Sequence, residues 1–244
     1  MKTIGAVAVT AALMLAAAPS ASANTEIPVA YALAPGVGLA IYKPDGVPVD
    51  GCTAGFLAHD NTGQQVMLSA GHCNHGGEVD VHYSGTGGGY ENIGTFSKAV
   101  SEPHGPDAEG ADIGLVKLNG SVPSDPRIIG LRPVTGLTSQ VTVGDVLCHF
   151  GYVSALEQIA PKCGPVTDVT PTKIVFTAPA IGGDSGGPVY KRNADGSATA
   201  VGITIRGDKE GTVGELVEPW IRKWGLTLDG AQSGPGITTS GYPR

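Results

Sequence analysis

The chain has 244 residues, with 15 Lys and Arg against 22 Asp and Glu, and its formal net charge of −7 is spread along its length. Without a basic face it is not expected to bind nucleic acid. Its 38 glycines and 18 prolines, few aromatics and short apolar runs imply many turns and short strands.

At the N-terminus, Lys2 precedes an apolar run from Ile4 to Ala18, and Ala21-Ser22-Ala23 offers small residues for signal peptidase. This is the layout of a secretory signal peptide over residues 1–23, cleaved after Ala23. A membrane anchor is the rival reading, but the run is short and Ala-rich for a bilayer core of about 30 Å. The mature chain of about 220 residues, long enough for one large or two small domains, is expected outside the cytoplasm. It would be secreted, extracellular and monomeric, with no membrane span; attachment to a cell wall is left open.

After a short segment (24–36), β-like stretches broken by Gly, Pro, Asn and Asp run from Val37 to residue 120. They are 37–43, 53–59, 65–72, 79–84, 92–100 and 112–118. Val79, Val81 and Tyr83 alternate with Asp80 and His82, the period-2 pattern of a half-buried strand. A polar, Pro-rich connection covers 121–138. The style repeats at 140–154, 165–179, 187–192 and 199–205, so residues 139–228 form a second unit. Near its end, Leu216, Val217, Trp220, Ile221 and Trp224 share one face of a 3.6-residue period, with Glu215, Glu218, Arg222 and Lys223 opposite. That predicts a closing amphipathic helix, with Pro219 tolerated in its first turn. Residues 229–244 have little to bury and read as a disordered tail.

Cys52, Cys73, Cys148 and Cys163 are even in number in an exported chain, which favours two disulfides. Zinc is the competing use. Only Cys73 has histidines close by, His72 and His75, so ligand spacing is poor. Neither a metal nor another cofactor is expected.

The strongest local signal is Gly182-Gly183-Asp184-Ser185-Gly186-Gly187-Pro188. A serine hydroxyl needs a base to take its proton and two N–H donors for the oxygen that becomes negative. A glycine two residues before the serine lets Gly183 and Ser185 aim their N–H groups into one hollow. Taken alone, a Gly-rich hairpin that happens to contain Ser would look the same. Ser69-Ala70-Gly71-His72-Cys73 adds a histidine at a strand end, and a disulfide from Cys73 to Cys52 on a neighbouring strand would fix its imidazole. Ala111-Asp112-Ile113-Gly114-Leu115-Val116 places an acid at the mouth of an apolar strand. A carboxylate buried there requires a hydrogen-bond partner, and a histidine N–H would serve.

In the order His, Asp, Ser these motifs resemble those of the chymotrypsin-like serine proteases, over roughly residues 37–228. The resemblance implies an all-β fold of two six-stranded antiparallel Greek-key barrels with a C-terminal helix. It also implies a serine endopeptidase acting on polypeptides through an acyl-enzyme, with protein inhibitors as possible partners. Ser185 would be the nucleophile, His72 the general base and then acid, and Asp112 the residue that orients His72. Gly183 and Ser185 would form the oxyanion hole. Cys148-His149-Phe150-Gly151 followed by Cys163 resembles the hairpin disulfide of the secreted bacterial branch, so Cys52–Cys73 and Cys148–Cys163 are the expected pairs.

The pattern is broken in three places. Where bacterial relatives carry Arg after that Cys, this chain has His149, expected to pair with Asp184 when protonated, which would raise its pKa. Ile205 replaces a serine whose hydroxyl supports the triad acid, and no cysteine remains to brace the specificity pocket. Counting back from Ser185 puts Pro179, Ala180 and Ile181 at the pocket base and Gly207 on the facing wall. None is an acid, so Lys or Arg selection is disfavoured. A protease-like binding module that cuts weakly or not at all is the main alternative. A secreted esterase with a strand–turn–helix elbow is weaker, because Val189 and Tyr190 look like a strand.

Overall fold

The structure, a computed structural model, describes residues 27–102, 110–156 and 158–231. The expected signal peptide, and residues 232–244 of the expected tail, lie outside the described residues.

The first half folds into seven strands: β1 (Gly38–Tyr42), β2 (Pro48–Thr53), β3 (Leu57–His59), β4 (Gln65–Ser69), β5 (Glu78–Tyr83), β6 (Gly89–Ser101) and β7 (Asp112–Leu118). They pair antiparallel in the order β3-β4-β7-β6-β5-β1-β2. Residues 54–56 carry the chain from one edge of this sheet to the other. Ala54 N–H donates to Val37 O beside β1, and Gly55 N–H donates to Leu68 O of β4. The bent run β2–β3 therefore closes a barrel of six strand positions. In β5 Val79 and Val81 turn inward as the alternation predicts, but His82, expected opposite them, is also buried, with its ring nitrogens on Ile27 O and Gly88 O. β7 is buried on both faces except at Lys117, so it reads as a continuous apolar run.

The second half contributes β8 (Val134–Leu137), β9 (Val146–His149), β10 (Lys162–Val169), β11 (Lys173–Phe176), β12 (Pro188–Arg192), β13 (Ala198–Gly207) and β14 (Thr212–Leu216). The order β12-β9-β10-β11-β14-β13, with β12 also paired to β13, closes a six-stranded barrel. The expected pair of antiparallel barrels is therefore present. Leu147, Val166, Ile174, Phe176, Val189, Val201 and Leu216 fill the second barrel. A larger cluster fills the first and runs across the interface through Phe150, Tyr190, Ile203, Ile205 and Trp220. Each such side chain contributes about 1.5–3 kcal/mol by leaving water.

Several features differ from expectation: the stretch 53–59 is split between β2 and β3, and of 140–154 only Val146–His149 is strand. The connection over 121–138 holds a strand, β8, which pairs with β13 in parallel, because Val134 is buried against the barrel. The stretch 165–179 is two antiparallel strands, split by the turn at Thr170–Thr172. The closing helix, α1, spans only Glu218–Lys223; Glu215 and Leu216 lie in β14, and Glu215 is buried rather than on a solvated face. Finally, β15 (Thr227–Leu228) pairs with β3 of the first barrel, so the last residues of 139–228 return to the other unit. Asp229, expected in the tail, is tied down: its N–H donates to Leu57 O and its carboxylate meets His59 Nδ1 at 2.5 Å.

Candidate active site

His72 sits in a single 3₁₀ turn, Gly71–Cys73, directly after β4. A Cβ on Gly71 would lie 1.9 Å from Val100 O, so only glycine lets the turn pack against β6. Asp112 opens β7 opposite Ser101 and is fully buried. Its Oδ1 accepts the His72 backbone N–H at 2.9 Å and its Oδ2 meets His72 Nδ1 at 2.7 Å. An ionised carboxylate only accepts, so the imidazole proton is on Nδ1 and Nε2 is the free base. The His72 side chain is 40% exposed while the Asp112 side chain is 0% exposed.

Ser185 lies in the turn before β12, half-buried. Gly183 and Gly186 have φ of +96° and +89°, values that L side chains rarely adopt. The N–H groups of Gly183 and Ser185 meet no acceptor among the described residues. The turn is fastened to β2 of the first barrel. Thr53 N–H donates to Ser185 O at 2.7 Å, and Thr53 Oγ1 donates to Gly183 O at 2.8 Å. The preceding residue, Cys52, is bonded to Cys73, the neighbour of His72. Two consecutive residues of one strand thus hold both the histidine turn and the serine turn. A Cβ on Gly186 would lie 2.2 Å from Ser69 Oγ and 3.2 Å from Ala70 N, which sets the serine turn against the strand end that leads into His72.

Cys148 and Cys163 are likewise bonded, across the β9–β10 ladder. Asp184 is fully buried, but His149 is not its hydrogen-bond partner, contrary to expectation. Ser154 fills that place: its N–H donates to Asp184 Oδ1 at 2.9 Å and its hydroxyl to Oδ2, and Ile181 N–H donates to Oδ2 at 3.0 Å. His149 Nε2 instead meets Pro179 O at 2.8 Å, and Nδ1 has no partner among the described residues. Burial holds the His149 pKa below its ordinary 6.5, with Lys162 acting in the same direction. The Pro179 carbonyl and the Asp184 charge oppose this and lose. With three neutral donors Asp184 does not need a cation, and His149, buried without that hydrogen bond, has its pKa lowered by burial rather than raised.

Of the pocket residues, Ala180 is buried and its N–H donates to Asp208 O at 2.9 Å. A Cβ on Gly207 would come within 2.8 Å of the Ala180 methyl, so segments 179–181 and 207–208 face each other closely. Pro179 and Ile181 are exposed.

These features define a double-barrel scaffold in which a His–Asp pair and a glycine-bounded serine turn are tied to the same strand through Cys52 and Thr53. The family model of trypsin matches residues 50–217, and the chain belongs to that family. The Nocardiopsis protease NAPase has a similar structure, at 21% identity and TM-score 0.59 over 80% of this chain and 98% of that one. Thermobifida fusca protease A is similar at 23% identity and TM-score 0.58, over 80% and 97%. Both likenesses concern the fold. A Bacillus subtilis protein named extracellular metalloprotease is 28% identical over 190 residues, 74% of this chain. The chain spans 59% of the length of that relative.

Sequence reasoning missed Thr53, Ser154, Lys173 and Glu215. Thr53 and Ser154 act with both N–H and hydroxyl on partners far away in the chain, which no local motif reveals. Lys173 opens an apolar strand, KIVF, and a lone cation at a position that should be buried was the available signal.

Proposed function

We propose that this chain is a secreted serine endopeptidase, made with a signal peptide over residues 1–23 and acting on polypeptides outside the cell. The observation that carries the reading is the Asp112–His72 hydrogen bond of 2.7 Å, held by one strand beside a serine turn with two unused N–H donors. His72 Nε2 takes the Ser185 proton as Oγ attacks the scissile carbonyl carbon. The carbonyl oxygen becomes negative and accepts the Gly183 and Ser185 N–H groups. Protonated Nε2 then gives its proton to the leaving amine, and the C–N bond breaks to leave an acyl-serine. Water, deprotonated by the same nitrogen, attacks the ester carbon; Nε2 then returns that proton to Ser185 Oγ as the C–Oγ bond breaks and the acid leaves. Asp112 stays ionised and keeps the imidazole in the Nδ1–H tautomer. The close wall of Ala180 against Gly207, with no acid among Pro179, Ala180, Ile181 and Gly207, favours small or apolar substrate side chains.

The relative's name raises metal chemistry, and the donors here do not fit it. Among the described residues the candidate ligand cluster is Cys52, His72 and Cys73, and its two sulfurs are joined to each other, so neither is a thiolate.

The test is a fluorophosphonate label on the purified mature protein. Labelling that disappears in Ser185→Ala is expected. A well-folded protein that takes no label would reject the reading in favour of a protease-like binding module.

A further inference from the structure

The buried charges of the second barrel end on the triad carboxylate's own backbone. Glu215 on β14 is fully buried and Lys173 on β11 is 1% exposed; the two are register partners, with Lys173 Nζ 2.7 Å from Glu215 Oε2. Lys173 Nζ also meets Thr172 Oγ1 at 3.1 Å. Glu215 Oε1 accepts Trp220 Nε1–H at 2.7 Å. Its Oε2 reaches out of its own barrel to accept the Asp112 N–H at 3.2 Å.

A buried ion pair is a poor device for stability, since apolar side chains of equal volume commonly do as well or better. This pair does something an apolar pair could not: it gives an acceptor to the main chain at the first residue of β7. Ile205, buried nearby in β13, brings no hydroxyl to the region. A bare carboxylate behind Asp112 would be a second negative charge, favouring protonation of one of the two. Lys173 cancels it. Among the described residues, Glu102 also reaches this stretch, where its Oε2 takes the Ala111 N–H at 2.9 Å from the exposed side.

We infer that Glu215, neutralised by Lys173, is a positioning residue for the triad: it fixes the Asp112 backbone from inside the second barrel without adding net charge behind His72. The inference rests on the endopeptidase reading above.

Three variants test it, read by NMR titration of the His72 Cε1–H and by fluorophosphonate inactivation resolved into kinact and KI. Glu215→Gln keeps an acceptor but leaves Lys173 unpaired beside Asp112, so the imidazolium loses support. Its titration midpoint moves down by about one pH unit. Its kinact falls about tenfold with KI changed less than about twofold. Glu215→Gln with Lys173→Met removes the stray cation and returns the midpoint toward that of wild type. Glu215→Leu with Lys173→Met is an apolar pair that removes the Glu215 acceptor from the Asp112 N–H, and it lowers kinact about tenfold in a folded protein. Should Glu215→Gln show the wild-type midpoint and kinact while melting earlier, the pair is only structural and the inference is overturned. If that variant does not fold, the apolar pair decides, and wild-type kinact there overturns it equally. If wild type is folded yet takes no label, the endopeptidase reading fails, and the NMR midpoints still decide whether Glu215 acts on the Asp112–His72 pair.

Discussion

At the scale of single residues, His149 makes a measurable claim. The unfolded chain binds its proton near 6.5, while in the folded chain burial keeps the imidazole neutral below that pH. The unfolded state therefore takes up the extra proton, and the stability contributed by neutral His149 is complete above pH 6.5 and lost as pH falls below it. The loss approaches about 1.4 kcal/mol per pH unit until the folded form also protonates. Urea unfolding of wild type and His149→Gln between pH 7.5 and 5 should show the wild type losing stability faster below 6.5. Curves that stay parallel would show that His149 does not carry the effect. Gly151 makes a second claim. A Cβ there would lie 2.2 Å from the Asp184 carboxyl, so Gly151→Ala should displace Asp184 from Ser154 and cost several kcal/mol, since it leaves a buried charge short of donors. Thermal unfolding and the label rate of that variant check it. That His149 stands at a patterned position was visible from sequence, but the pairing with Asp184 inferred from it is not formed. Ser154 as the real donor was not visible, because the choice depends on how the 151–155 turn folds back.

Among elements, bounded apolar runs placed some strands well, while longer stretches such as 53–59 and 140–154 did not hold as single strands. Asp112–Leu118 and Pro188–Arg192 appear close to where their apolar runs begin and end. Glu215 was misassigned because Leu216 and Val217 continue the helical period of Trp220 and Ile221 backward into β14. A buried charge then looks like the polar side of a helix. Only the facing Lys173, 42 positions earlier in the chain, explains why a carboxylate sits there. The parallel partner of β13 was equally hidden, since a linker strand of four residues borrows its order from a neighbour. The two disulfides act on elements in different ways. Cys148–Cys163 spans 15 residues between strands already paired, whereas Cys52–Cys73 ties β2 to the histidine turn. Replacing Cys148 and Cys163 with Ser should cost about 3 kcal/mol and leave fluorophosphonate labelling of the folded protein near normal. Replacing Cys52 and Cys73 should slow labelling as well as lower Tm. Equal label rates in the two double variants would contradict this division.

For the whole molecule, the question is what keeps two barrels in one register, because the proposed chemistry needs His72 and Asp112 from the first and Ser185 from the second. Apolar packing across the interface is non-directional and tolerates sliding. Thr53 supplies the direction. Fully buried at the end of β2, it donates its N–H to Ser185 O and its hydroxyl to Gly183 O, and its oxygen accepts the Tyr152 N–H at 3.2 Å. Its own carbonyl accepts Ser69 Oγ at 3.2 Å, which returns the connection to the strand before His72. Thr53→Val keeps the shape and removes only the hydroxyl, leaving Gly183 O and Tyr152 N–H without that partner. The cost should be about 1–3 kcal/mol in stability. Gly183, whose N–H is one of the two proposed oxyanion donors, loses the anchor on its own carbonyl, so kinact should fall while KI holds. Thr53→Ser restores the hydroxyl and should recover both. A valine variant that labels as fast as wild type would mean that packing alone sets the barrels, and that the serine turn is rigid without its tie to β2.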